Sequence, residues 1–229
     1  MGKKKPKVFE RRKVNCKPVR KRFLIICEGT ETEPNYFESF QKIGRDTQKV
    51  TIQIIPEGAV GITIVERAKK RKEQDGSYGK DEVWCVFDRD AKKENNNQQN
   101  FNYAIRLAVE NELNLAISND AFELWYLLHY EYYQSETHRS DLKEMLSSKT
   151  RLGEKYEKNC EDMYEKLLDK QANAIKYAKK LLSSYGIDPD NLDNLPLEER
   201  TRIHNQNPST TVYKLVEKLN EVIVESQKE

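Results

Sequence analysis

The sequence predicts an α/β protein with a mostly parallel, four-stranded central sheet flanked by helices and followed by a helical C-terminal extension. Two observations carry that expectation. Four short apolar runs alternate with amphipathic stretches over the first 134 residues, the pattern of successive βα units. After about residue 135 the strand-like runs stop and only helical periodicity remains.

Taken in order, "RFLIICEG" is β-branched and apolar and ends in glycine, a buried strand. "TEPNYFESFQKIG" puts Tyr36, Phe37 and Phe40 on one helical face, with Gly44 as the expected stop. "VTIQIIP" is a second strand closed by Pro56, and "GITIVERAKKRKEQDG" a helix with basic outer positions ending near Gly76. "EVWCVFDRD" is the third strand. "NNNQQNFNYAIRLAVENE" begins as a polar loop and becomes a helix through Tyr103, Ile105, Leu107 and Ala108. "LNLAISND" is the fourth strand, and "AFELWYLLHYEYY" a helix apolar nearly all round, hence deeply buried or at an interface. In the extension, "SDLKEMLSS", "EDMYEKLLDKQANAIKYAKKLLSSYG", "LEERTRI" and "STTVYKLVEKLNEVIVESQ" are amphipathic helices, forming a cap on the sheet. The chain thus divides into an arm (1–22), an α/β core (23–134) and a helical extension (135–229).

Composition sets limits. The chain has 229 residues, 34% of them charged, and a mean hydropathy of −0.90, so a modest core and much solvated helix are expected. No apolar run approaches the roughly 20 residues a bilayer span needs. The basic N-terminus has no apolar segment behind it, unlike a signal peptide. Cys16, Cys27, Cys85 and Cys160 lack metal-site or disulfide-framework spacing. A cytoplasmic protein is the expectation. The net charge of +2 hides a segregation: residues 1–22 carry +10, which leaves −8 on the rest. A basic arm on an acidic body suits contact with a polyanion through Arg11, Arg12, Lys13, Lys17, Arg20, Lys21 and Arg22. A solvated tail is the plainer alternative.

Ligands of an open parallel sheet bind at the carboxyl ends of its strands. Glu28 closes the first run, and Asp88 and Asp90 close the third. If those strands are neighbours, three carboxylates converge on one crevice. Such groups repel one another unless a cation sits among them. Mg²⁺ (or Mn²⁺) takes one or two carboxylates together with waters and phosphate. The pattern points to a metal site for phosphoryl chemistry; the alternative is an aspartate pair in a surface turn or capping the next helix. The sequence has no GxxxxGK[ST], GxGxxG or HExxH motif. His129, in the apolar helix, reads as a core histidine.

A strand ending in E-G followed by one ending in D-x-D resembles the Toprim fold of topoisomerases, primases and OLD-type nucleases. Four blocks in order, "ICEGTETEPNYF", "VFDRD", "SNDAFELWYLLHY" and "NPSTTVYKLVEKL", resemble the RloB family, which includes the AbiLii-like abortive-infection proteins. The likeness spans residues 21 to 220. It implies a Toprim-type, Mg²⁺-dependent nuclease in bacterial antiphage defence, working beside an ABC-type ATPase usually called RloA. Carried over by position, Glu28 is the Toprim glutamate, a metal ligand or general acid/base, and Asp88 and Asp90 are the metal-binding pair. OLD-type nucleases have a second acid four residues after the first. Position 32 here is threonine, and of the neighbouring Glu31 and Glu33 the latter is preferred because it opens the next helix.

Other residues have two readings. Glu123, inside an apolar stretch, is either an additional site residue and metal ligand or a carboxylate bonded to a backbone or arginine partner. Asn119 or Asp120 could cap the helix that follows. Ser209, Thr210 and Thr211 form an N-cap signature whose hydroxyls could instead touch phosphate. "RAKKRK" (67–72) is a solvated helix face or a backbone-phosphate contact. The function expected is cleavage of nucleic acid, RNA (tRNA by analogy with other ATPase–Toprim pairs) or DNA, by a chain that could self-associate. The alternatives are a non-catalytic regulatory subunit of the ATPase complex and a housekeeping RNA-processing Toprim enzyme.

Overall fold

The computed structural model describes residues 21–47, 50–74, 81–89 and 95–227. Among them, strands β1 (Lys21–Cys27), β2 (Val50–Pro56), β3 (Asp81–Asp88), β4 (Asn114–Asn119) and β5 (Ser209–Thr210) form one sheet in the order β2-β1-β3-β4-β5. The first four are parallel, as expected, with Ile25 opposite both Ile54 and Trp84, and Asp88 opposite Ser118. The sheet has one strand more than the sequence predicts. β5 is antiparallel to β4, pairing Thr210 with Ser118 and Ser209 with Asn119.

The two faces of β1 follow the period of two that a strand imposes. Phe23, Ile25 and Cys27 point to one layer, Leu24 and Ile26 to the other. Helix α1 (Thr32–Thr47) lies on the first face through Tyr36, Phe37 and Phe40. Helices α2 (Gly61–Gln74) and α3 (Asn95–Glu110) cover the opposite face through Ile64, Val65, Ala68, Ala104, Ile105 and Ala108. The helices that follow β1 and β3 therefore leave to opposite sides. In a 2-1-3-4-5 sheet this opens a crevice between the carboxyl ends of β1 and β3.

Several local expectations need correction. Gly44 does not stop α1, which runs on to Thr47. A Cβ there would lie 3.1 Å from Val50 Cγ1 and 3.2 Å from Ile52 Cδ1, so the glycine serves close packing of α1 on β2. The Asn-rich segment is helical from Asn95. There Gln98 donates to Asn102 Oδ1 at 2.9 Å and joins Arg89 and Asn205 in a polar network. The apolar helix is only a short α4 (Glu123–Leu127) continued by turns, buried from Ala121 through His129. In the extension, α5 (Arg139–Leu146) and α8 (Leu197–His204) appear where expected. The long central helix is instead α6 (Met163–Leu167), a turn of 3-10 helix, and α7 (Gln171–Ser184). The last helix, α9 (Val212–Gln227), begins after β5.

The extension shares the core of the first face. Tyr36 meets Trp125 of α4 and Tyr164 of α6 edge-on, at 6.4 and 5.5 Å between ring centroids. Ser39 donates to Glu165 at 2.9 Å. Burial pushes His129 down to about 4, and its Nδ1 lies 2.9 Å from the Trp125 carbonyl oxygen, so it is a neutral core histidine. Cys27, Cys85 and Cys160 are free thiols, the first two buried. Cys16 lies outside the described residues. No helix among the described residues is long and apolar enough to cross a membrane.

Candidate active site

The crevice at the carboxyl ends of β1 and β3 holds a cavity of about 270 Å³. Glu28, Glu33, Asp88, Glu123, Arg139 and Lys158 line it, together with the Gly29–Thr32 turn, Gly58 and Phe122. Each side chain arrives there for a local reason. Glu28 follows the last residue of β1, and its backbone N–H donates to the Val86 carbonyl at 2.9 Å, extending the ladder by one bond. Its Oε2 accepts from the Asp88 backbone N–H at 2.8 Å, which ties the ends of β1 and β3 together. Asp88 is the last residue of β3. Its Oδ1 is buried without a hydrogen-bond partner.

Glu33 sits in the first turn of α1, where a helix N-terminus favours negative charge. It is buried, and its Oε1 accepts from the Gly29 backbone N–H at 3.3 Å. A Cβ on Gly29 would lie 2.2 Å from Glu33 Oε2, so the glycine makes room for that carboxylate. Gly29→Ala should accordingly displace the Glu33 side chain rather than break the strand. The expected result is a thermal midpoint within a few degrees of the parent and a loss of divalent-ion binding by titration calorimetry. A large drop in midpoint with ion binding intact would contradict this account. Glu123, at the start of α4, is also buried and accepts from the Tyr156 hydroxyl at 3.2 Å. It is thus both part of the crevice and bonded within the fold, through a tyrosine of the extension and not the backbone or arginine partner expected.

The electrostatics follow from burial. Asp88 is raised well above the usual carboxylate range, first by loss of solvent and then by the charges of Glu33, Glu123 and Glu28, with Arg139 opposing. Glu33 is raised for the same first reason and by Glu123. Burial and these acids also raise the Tyr126 and Tyr156 hydroxyls. A buried acceptor without a donor, among carboxylates that raise one another's affinity for protons, is a place a hard cation would satisfy, and the donors are all oxygen. Among the described residues no three His, Cys, Asp or Glu side chains stand close enough to hold an ion by themselves. The other expected ligand, Asp90, lies outside the described residues.

The remaining candidates fall elsewhere. Lys21 and Arg22 belong to β1, at the end of the sheet opposite the crevice, paired with Glu82 at 2.7 Å and with Asp81 at 2.8 Å. Arg11, Arg12, Lys13, Lys17 and Arg20 lie outside the described residues. Removing residues 1–20, and sparing the two β1 residues, should leave the melting curve unchanged while weakening nucleic-acid binding most at low salt, as counterion release requires. Equal binding by truncated and full-length chains at low salt would make the segment a tail only. In "RAKKRK", Arg67 and Arg71 pair with Glu57, and Lys72 donates to the Asn111 and Glu112 carbonyls.

The hydroxyls read as a helix cap serve both the helix and the sheet: Thr210 Oγ1 accepts from the N–H of Val212, the first residue of α9, at 3.3 Å. Thr211 Oγ1 accepts from Ile117 N–H at 3.0 Å, Thr210 and Ser118 share a 2.9 Å bond, and Ser209, Thr210 and Thr211 are all buried. Asp120 caps α5 and not α4: its Oδ2 accepts from the Arg139 N–H at 2.9 Å. Sequence reasoning missed Arg139 and Lys158. Neither sits in a motif, and only the packing of the extension brings them to the strand ends.

Fold and site together define an α/β protein with an acidic crevice at the switch point of a mostly parallel sheet. A sequence model of the family described as RloB-like protein matches residues 23–219, and the chain belongs to that family. No curated protein and no solved structure matches the chain.

Proposed function

We propose that this chain is a divalent-metal-dependent nuclease of the Toprim type. The observation that carries the proposal is the buried, unpartnered Oδ1 of Asp88 at the β1/β3 switch point, in one cavity with Glu28, Glu33 and Glu123. Asp88 and Glu28 would hold Mg²⁺ or Mn²⁺, with Asp90 as the other member of the D-x-D pair, and Glu33 and Glu123 line the same cavity as acidic neighbours. When bound, the ion would polarise the scissile phosphate and lower the pKa of the attacking water. The chain's own contribution is positional. The Asp88 N–H fixes the Glu28 carboxylate, the Gly29 N–H fixes that of Glu33, and the Tyr156 hydroxyl that of Glu123. Preorganised charge of this kind costs no rearrangement at the moment of reaction.

The substrate class, RNA (tRNA included) or DNA, and a role as effector of an antiphage or abortive-infection system with an ABC-type ATPase, are supported by family membership and by the basic arm. The test is incubation of labelled RNA and DNA with the purified chain, with and without the neighbouring ATPase, in Mg²⁺, Mn²⁺ or EDTA, followed by sequencing of the ends. Metal-dependent cleavage at discrete ends is expected. Intact RNA and DNA under every condition, with the ATPase present, would turn the assignment to the non-catalytic subunit.

A further inference from the structure

Side chains of both signs line the cavity. The sheet and the starts of α1 and α4 supply Glu28, Glu33, Asp88 and Glu123, whereas Arg139 and Lys158 come from the helical extension. A phosphodiester entering among carboxylates is repelled unless positive charge faces it from the other side. A metal ion could offset the carboxylates it touches, but the rest of the phosphate's charge is left to the protein's own cations. Arg139 is held in place: its Nη2 donates to the Asp120 carbonyl at 3.2 Å, its Nε lies 3.6 Å from Asp120 Oδ2, and its own N–H anchors on the same carboxylate. Asp120 is itself buried at the end of β4, so the guanidinium is tethered to the sheet. Lys158 differs. It is exposed, sits in the loop between α5 and α6, and among the described residues has no carboxylate within ion-pairing distance, although its charge reaches Glu33.

We propose that Lys158 and Arg139 form a phosphate-gripping wall, with Lys158 contacting the nucleic-acid backbone and Arg139 as the fixed positive background, so that the extension completes the site. The inference rests on the reading that the crevice takes a phosphodiester, and it assigns the extension a role in binding substrate. A lysine is suited to that contact: a compact charge on a flexible stem follows a phosphate without demanding a base sequence.

The test is the affinity of the full-length chain for a fluorescein-labelled 20-nucleotide single strand, as RNA and as DNA, by anisotropy in EDTA across a salt series. Lys158→Gln should weaken binding several-fold at low salt on both strands and lower the slope of log K against log salt by about 0.7, one phosphate contact's worth on a single strand. Lys158→Arg should restore both, and the melting midpoint should not move, since the side chain is exposed. Equal affinity and slope for parent and Lys158→Gln would overturn the inference whether or not the parent cleaves. A Lys158-dependent slope in a chain that hydrolyses neither strand in Mg²⁺ or Mn²⁺, even with the ATPase present, would leave the wall standing and remove the nuclease assignment.

Discussion

Asp88→Asn should abolish metal-dependent cleavage, by on the order of 10³-fold or more, and at the same time make the metal-free protein more stable. Losing several kcal/mol of transition-state stabilisation corresponds to that factor. The stability gain follows from the carboxylate's surroundings. Asp88 is raised well above its ordinary range by burial and by Glu33, Glu123 and Glu28. A carboxyl that binds its proton more tightly folded than unfolded contributes stability below its unfolded pKa. That contribution is lost as pH rises through the folded value, because the unfolded state then binds fewer protons than the folded one. At neutral pH in EDTA the parent bears this cost and the amide does not. The variant's midpoint should therefore lie higher, by about 2–4 °C for each kcal/mol relieved. Divalent ion should reverse the order, since only the parent gains stability by binding it. Melts in EDTA from pH 5 to 8 and then with Mg²⁺ measure both effects. A variant that melts earlier in EDTA, with no Mg²⁺ response in the parent, would withdraw the metal site.

Tyr36→Ala should be the most damaging single change to the fold, costing about 3–5 kcal/mol and on the order of 10 °C in midpoint. Tyr36 is fully buried and packs edge-on against Phe37 of its own helix, Phe122 and Trp125 around α4, and Tyr164 of α6. It thereby joins the helix that carries Glu33 to the segment that carries Glu123 and to the extension. Tyr36→Phe keeps the ring and loses only the hydroxyl that accepts from Gln171 Nε2 at 3.3 Å. It should cost about 1 kcal/mol. Denaturant unfolding of the pair separates the ring from the hydroxyl. Similar losses in both would place the stabilisation in the hydrogen bond and not in the aromatic packing.

Much of the architecture was legible because it is written at short range. The alternation Phe23, Ile25, Cys27 against Leu24, Ile26 marks a strand buried on both faces, and the order of runs and amphipathic stretches marks a parallel sheet. Glu28 and Asp88 were legible for the same reason: each ends an apolar run, and the ends of parallel strands lie on one side. Gly44 misled because one residue type serves two purposes, helix termination and close packing, and the sequence does not say which. Thr211 misled likewise. A hydroxyl before an apolar helix suggests a cap, and Thr210 does accept from the Val212 N–H, yet Thr211 bonds Ile117 and Thr210 also bonds Ser118, both more than ninety residues away.

By itself, then, the sequence determined the four parallel strands, the placing of one acid at the end of β1 and another at the end of β3, and the concentration of positive charge before residue 23; that β1 and β3 are neighbours came from the sheet itself. What the sequence determined depends on side-chain period and on composition, which are local. Only the tertiary structure decided that Glu33 and Glu123 share that crevice, that β5 adds an antiparallel edge to the sheet, that Asp120 caps a helix nineteen residues on, and that Arg139 and Lys158 face the carboxylates. Each of these is a contact between segments far apart in the chain. Aromatic packing docks the extension onto α1, hydrogen bonds of the sheet and of Asp120 hold the other contacts, and no pattern within a single segment encodes either.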